Sequence, residues 1–388
     1  MRFGLRLGLA SAIAAIAFFG GYKLRPKLSP EAIATAYAKY VLHQPRHKQE
    51  LKDGAIDTVM ETDYRAVIGV NSANDVAARR AAMAAYLFRG EPTGMGRLPD
   101  QVDRDVSVPL LMNLPLAGID VLTVTMPWGI DSKVYHLRAA KPRSCLMMYQ
   151  EGHRVSFLER VRFLERIASE GCDVLALSLP LTGPVNSRPL IDHPRLGRIV
   201  LNDPDDLQLL DSQGYSSLAY FVTPLVAALN HALSQQSYDR IGATGFSGGG
   251  WAVQVFAALD PRVQVTYSVA GSSPEAVHAA MPEWGSPEQR EGRFSEIVNT
   301  PELYVMAADR PGRRHLQFFN ETDPCCFAGT NWQAWEGAVA ERVRQLGGAF
   351  RVYSYVNANH TLSKPVGRTI VADFLNLPEG PADEVVTH

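Results

Sequence analysis

The sequence predicts an α/β fold, a mostly parallel sheet covered by helices on both faces, and three features predict it. Short apolar runs alternate with helical segments from Cys145 onward. A hairpin-like pair of β-rich runs precedes that alternation. A glycine-rich turn, Gly245-Phe246-Ser247-Gly248-Gly249, then joins a strand-like run to a helical one. With 388 residues, 46% hydrophobic and 20% charged, the chain carries enough apolar material for a large core. A formal charge of −2, from 38 basic and 40 acidic residues, gives no global pull toward nucleic acid or polyanions and favours a small, roughly neutral substrate.

At the N-terminus, Arg2 and Arg6 precede an uncharged run from Leu7 to Tyr22, closed by Lys23, Arg25 and Lys27. As a helix rising ~1.5 Å per residue the run extends ~24 Å, a little short of the ~30 Å hydrocarbon core of a bilayer. Residues 1–27 therefore read as a membrane-targeting segment. The small-residue pattern of a cleavage site occurs only inside the run, as in Ala15-Ile16-Ala17, which favours an uncleaved transmembrane signal anchor over a cleaved signal peptide. That reading makes the membrane a partner through the N-terminal helix. It places the body on the extracytoplasmic side, in the periplasm of a bacterium.

Residues 28–118 read as a helical extension. Ser29-Pro30-Glu31 is a helix start with a capping serine and a proline in the first turn. A second helix is expected from Asp75 to Phe88, and Pro92 to Gly118, rich in Pro, Gly and Asp, as a surface connection. The main domain, 119–377, opens with β-rich runs Ile119–Thr125 and Lys133–Leu137 around Pro127-Trp128-Gly129. Buried strands follow at Cys145–Tyr149 and Cys172–Leu179, with a helix at Phe157–Ser169 between them. Thr182–Asp211 is expected to be a long loop or small lid, Ser216–Leu233 a helix, and Arg240–Thr244 the strand leading into the glycine-rich turn. A helix from Gly249 to Leu259 and a strand at Val263–Val269 come next. Residues 272–313 hold helical pieces without a clear strand, as a cap would. His315–Phe319 and Phe350–Val356 are the last strands, flanking a helix at Trp332–Gln345, and residues 378–388 form a tail.

Cys145, Cys172, Cys325 and Cys326 lack a repeated Cys-x-x-Cys spacing, so no metal is expected on them. Cys145 and Cys172 open buried runs and read as small packed side chains, and the adjacent Cys325 and Cys326 as two packed thiols in preference to a disulfide.

The chemistry converges on Ser247. A serine on a sharp strand-to-helix turn needs small neighbours, which the flanking glycines supply, and the helix start aims N–H groups at it. Serine is a weak nucleophile near neutrality, so it needs a base, and the base needs an orienting carboxylate. His360 lies just past the final strand, in Asn357-Ala-Asn-His360, whereas His278 falls in the expected cap and His315 at a strand's beginning. Asp323, a few residues past the 315–319 strand, is the expected acid, with Asp309 as competitor and Glu321 as a near neighbour. Gly248 N–H is the expected first oxyanion donor. The loop Gln150-Glu151-Gly152-His153 should give the second, from His153 or Gln150.

The stretch from Ile119 to His360 resembles the α/β-hydrolase superfamily, through the Gly-Phe-Ser-Gly-Gly-Gly elbow followed by Trp251 and the Ala-Leu-Asp-Pro-Arg segment at 258–262. It is similar to dienelactone-hydrolase-like and acetyl-xylan-esterase-like members. The resemblance implies an eight-stranded, mainly parallel sheet and a cofactor-free, metal-free acyl-enzyme mechanism. The expectation is a carboxylic-ester hydrolase; peptidase, thioesterase and acyltransferase activities share the machinery, and the rival from another class is a noncatalytic binding protein on the same fold. The oxyanion loop departs from the family's usual His-Gly pair, carrying Glu151-Gly152-His153 instead.

Overall fold

The computed structural model describes residues 55–377, apart from 92, 184, 187 and 281–285, together with a strand at 385–387. These residues fall within one compact unit, 51–388. Helices α1 (Ala55–Glu61), α2 (Tyr64–Val67) and α3 (Ala73–Leu87) come first, with the Ser72 hydroxyl accepting from Asp75 N–H to cap α3. Strands β1 (Gln101–Asp103), β2 (Leu116–Met126) and β3 (Ile130–Ala139) form an antiparallel opening, with β2 and β3 joined through Pro127-Trp128-Gly129. Next come β4 (Cys145–Gln150), α4 (Val161–Ser169) and β5 (Asp173–Leu177). A small hairpin, β6 (Leu190–His193) with β7 (Gly197–Val200), and a 3-10 turn at Pro204–Leu210 fill the expected lid.

Helix α5 (Ala219–Gln235), β8 (Arg240–Phe246), α6 (Gly248–Leu259) and β9 (Val265–Val269) follow. The segment expected to be a cap holds α7 (Glu275–Ala280), a 3-10 turn at Pro287–Arg290, α8 (Gly292–Ile297) and α9 (Thr300–Met306). Strand β10 (Arg314–Asn320), α10 (Glu336–Leu346), β11 (Ala349–Tyr355), α11 (Lys364–Leu375) and β12 (Val385–Thr387) close the chain.

The main sheet runs β1-β2-β3-β5-β4-β8-β9-β10-β11-β12 and is parallel from β5 through β11. The eight strands from β2 to β11 in this order are those the resemblance implies; three-residue strands at the two edges extend the count to ten. Alternation along β4 explains why a parallel strand reads as continuously apolar. Leu146 and Met148 enter the core formed with α5 and α6, while Cys145, Met147 and Tyr149 enter the core on the other face.

Two expectations are corrected. Among the described residues no helix is long and apolar enough to cross a membrane. The longest, α5, is apolar because it is buried against the sheet. This counts against the transmembrane signal anchor, and against the membrane partner and extracytoplasmic placement drawn from it; residues 1–27, on which that expectation rested, lie outside the described residues. The cysteines are also paired: Cys145 with Cys172 and Cys325 with Cys326. Cys145 opens β4 and Cys172 immediately precedes the neighbouring strand β5, so pairing of the two strands brings the thiols together. Sequence spacing carries no trace of that adjacency. The apolar run Leu303–Ala307 lies in helix α9 and its cap, among the helical pieces expected over 272–313, and Asp309 follows that helix, before β10.

Helix α3 is fused to this body. Val76, Met83 and Leu87 enter the core, Arg79 pairs with Glu302, and Arg80 pairs with Asp309 while donating to the Ala258 carbonyl.

Candidate active site

The elements that carry chemistry meet where the parallel strands end. In the β4–β8 register Gln150 lies beside Gly245, and in the β10–β11 register Asn320 lies beside Tyr355. The loops leaving β4, β8, β10 and β11 therefore share one edge of the sheet, where open α/β sheets place their ligands.

Ser247 occupies the turn from β8 into α6 with φ 54° and ψ −128°, a conformation with positive φ that a non-glycine residue adopts only under constraint. Its N–H donates to the Val269 carbonyl at 2.9 Å, and Trp251 N–H returns to the Ser247 carbonyl at 3.2 Å. The turn is so tight that a Cβ on Gly245 would stand 2.2 Å from the Gly249 carbonyl oxygen. Here lies the physical need for the glycines around the serine. The first N–H groups of α6 have no acceptor within the helix, so Gly248 N–H is available to an approaching oxygen.

His360 sits in the loop after β11. Its Nδ1 is 2.7 Å from Asp323 Oδ2, and its ring centroid is 4.6 Å from that of Phe246, the residue before Ser247. Among the described residues its Nε2 has no hydrogen-bond partner. Asp323 is buried, and its other oxygen accepts N–H bonds from Cys325 at 2.8 Å and Cys326 at 3.2 Å. A fully buried Asn320 binds the two loops together. Its amide donates to the Asn357 and Asn359 carbonyls and its oxygen accepts from Asn357 N–H at 2.8 Å. Sequence reasoning missed Asn320, although its place at the end of β10 was a signal.

The competing residues have other partners. Asp309 lies buried between Arg313 at 2.6 Å and Arg80 at 2.7 Å. Glu321 lends its backbone N–H to the Tyr355 carbonyl. His315 is stacked between Tyr304 and Phe350 in the core, where burial pushes its pKa down to about 3. His278 is buried on α7.

The loop after β4 is built on Glu151, which is fully buried. One carboxylate oxygen accepts Gly152 N–H at 3.0 Å; the other accepts the Tyr149 hydroxyl and Arg160 Nε, both at 2.6 Å. Burial pushes the Glu151 carboxyl above its ordinary value, against the pull of Arg160. Gln150 lies behind the elbow, fully buried, its amide 3.5 Å from the Phe221 carbonyl. The structure thus places His153, and not the Gln150 side chain, at the front: the His153 ring covers Gly248 so closely that a Cβ there would meet Nδ1 at 2.5 Å. Since Gly152 N–H is taken by Glu151, the His153 main-chain N–H is the next donor along the loop.

His153 also heads a cluster that the sequence did not reveal. Its Nε2 is 3.3 Å from Asp205 Oδ1, on the lid turn, and 3.6 Å from Glu288 Oε1, on the turn Pro287–Arg290. Burial disfavours charge on His153, but the two carboxylates outweigh it and hold its pKa above the ordinary value. Burial raises Glu288 to about 7 despite His153.

Gly152 itself backs onto Ser247, since a Cβ there would lie 2.7 Å from Ser247 Cβ and 2.9 Å from the Phe246 carbonyl oxygen. Gly152→Ala is expected to push the loop off the elbow and lower kcat about 10²-fold, the usual cost of misplacing an oxyanion donor. Steady-state kinetics beside an unchanged circular dichroism spectrum checks this.

No protein-family model and no curated protein matches the chain at a significant level. Solved structures do. Acetyl xylan esterase 1 from Thermoanaerobacterium sp. JW/SL YS485 superposes with a TM-score of 0.50 at 15% identity, covering 80% of this chain and 96% of that one. Acetyl xylan esterase from Paenibacillus sp. R4 gives 0.48 at 16%, covering 84% and 98%. An esterase from Pyrococcus furiosus gives 0.46 at 12%, covering 72% and 98%. At such identity the likeness speaks of architecture: the chain has the α/β-hydrolase fold.

Proposed function

We propose that this chain is a serine hydrolase that cleaves a carboxylic ester of a small-molecule or acylated substrate. The observation that carries the reading is the 2.7 Å contact between His360 Nδ1 and the buried Asp323, with the imidazole against the Ser247 elbow and its Nε2 unpartnered among the described residues. In this reading Ser247 Oγ attacks the carbonyl carbon while His360 Nε2 takes its proton. Asp323, acceptor of three hydrogen bonds, fixes the Nδ1–H tautomer and stabilises the imidazolium. The oxyanion collects N–H bonds from Gly248 and from the His153 main chain. His360 then returns the proton to the departing alcohol. Water, deprotonated by the same imidazole, releases the acid from the acyl-enzyme. Residues 272–313 serve as the cap over this edge.

A fluorophosphonate probe tests the proposal. The folded wild-type chain is expected to label at Ser247, located by peptide mass mapping, and to turn over short aryl esters. A folded chain that neither labels nor hydrolyses any of a panel of aryl esters and acetylated sugars would return the fold to a binding role.

A further inference from the structure

We propose that His153, Asp205 and Glu288 form a zinc site that clamps the lid turn and the cap turn onto the oxyanion loop. The inference is independent of whether Ser247 turns over esters.

Three segments distant in sequence meet here: the loop after β4, the 3-10 turn Pro204–Leu210 and the turn Pro287–Arg290. Each offers one donor atom, and the three atoms lie within 4.8 Å of one another. The two spacings from His153 Nε2, 3.3 and 3.6 Å, suit the geometry of zinc. A tetrahedral ion with bonds of about 2.0–2.2 Å holds its ligands about 3.3–3.6 Å apart.

Asp205 Oδ1 and Glu288 Oε1 face His153 Nε2 at 3.3 and 3.6 Å, an ion pair only when the imidazole is protonated. Among the described residues, His153 Nε2, Asp205 Oδ1 and both oxygens of Glu288 lack hydrogen-bond partners. The Glu288 side chain is only 2% exposed. A carboxylate buried to that degree with neither oxygen satisfied is costly unless a cation faces it. One divalent ion with a neutral imidazole and two carboxylates leaves the group uncharged. The mixture of one nitrogen and two oxygens suits zinc better than a hard ion such as calcium, which takes six to eight oxygens. Behind the ligands, Asp205 N–H is held by Asp203 Oδ1 at 3.1 Å, and Asp203 in turn pairs with Arg154, the residue after His153. The backbone is thus tied around the cluster without using its inward-facing atoms.

The full-length chain, free of any histidine tag and treated with chelator, is to be titrated with ZnCl₂ by calorimetry. One ion per chain is expected, with a thermal midpoint that rises on zinc addition. Glu288→Gln and Asp205→Asn should each weaken binding about 100-fold or more and abolish the thermal response. Cobalt(II) should give the intense visible bands of a four-coordinate site in wild type and lose them in both variants. If Glu288→Gln fails to fold, Asp205→Asn, at the more exposed ligand, carries the comparison. Absence of saturable zinc binding, stronger binding of calcium than of zinc, or wild-type affinity in the folded variants overturns the proposal. Fluorophosphonate labelling of the same samples reports on Ser247 separately.

Discussion

Ser247→Ala is expected to lower kcat for a short aryl ester about 10⁶-fold, and Asp323→Asn about 10²- to 10⁴-fold, while Asp309→Asn leaves kcat within a few-fold of wild type. The contrast between the two aspartates is the informative part. Asp323 contacts His360 directly at 2.7 Å, and an amide in its place would present an N–H to Nδ1 and favour the wrong tautomer. Asp309 is tied to Arg80 and Arg313, so its loss removes no contact from the imidazole. Steady-state kinetics on all three variants, at a temperature where each is folded, checks the assignment. Activity lost in Asp309→Asn and kept in Asp323→Asn would reverse it.

Asp309→Ala is expected to destabilise the fold by about 3–5 kcal/mol, the range for breaking a buried ion pair. Arg313 has a side chain 2% exposed and donates to the Val263, Met306 and Ala257 carbonyls as well as to Asp309. Those carbonyls orient the guanidinium but do not neutralise it. Without the carboxylate, a buried charge has no counterion, and Arg80 loses its hold on α9's C-terminal flank. Burial tends to raise the Asp309 pKa, but Arg313 and Arg80 outweigh it and hold it below the ordinary 3.8. Between the folded and unfolded values the unfolded chain binds the extra proton. The pair's stabilisation is therefore fully present above that range and lost as pH falls through it. Wild type should lose stability more steeply than Asp309→Asn below pH 3.8. Denaturant unfolding at a series of pH values measures both effects.

How much of this was legible follows the range of the interactions. Ser247 was legible because the elbow is local: glycines, a strand before and a helix after are all written within a few residues. His360 was legible because topology places a loop after the last strand. Asp309 competed because Leu303–Ala307 reads as an apolar run. The capping box of Asn299 with Glu302, and Pro301 in the first turn, mark it as a helix. The Cys145–Cys172 disulfide, the Arg80–Asp309 pair and the meeting of His153 with Asp205 and Glu288 were not legible. Each joins segments whose proximity depends on strand order or on the folding-back of lid and cap, and no local pattern encodes either.

Asn320 has a consequence for how the site responds to heat and to sequence drift. By gripping the β11 loop from the end of β10, it makes Asp323 and His360 travel as a single part. Strain entering through α10 or the adjoining loops shifts Asp323 and His360 together and preserves their mutual spacing. The compliant distance is the one from that pair to Ser247, which hangs from a different strand. Warming should therefore first widen the distance between Ser247 and His360, with the imidazole still held by Asp323.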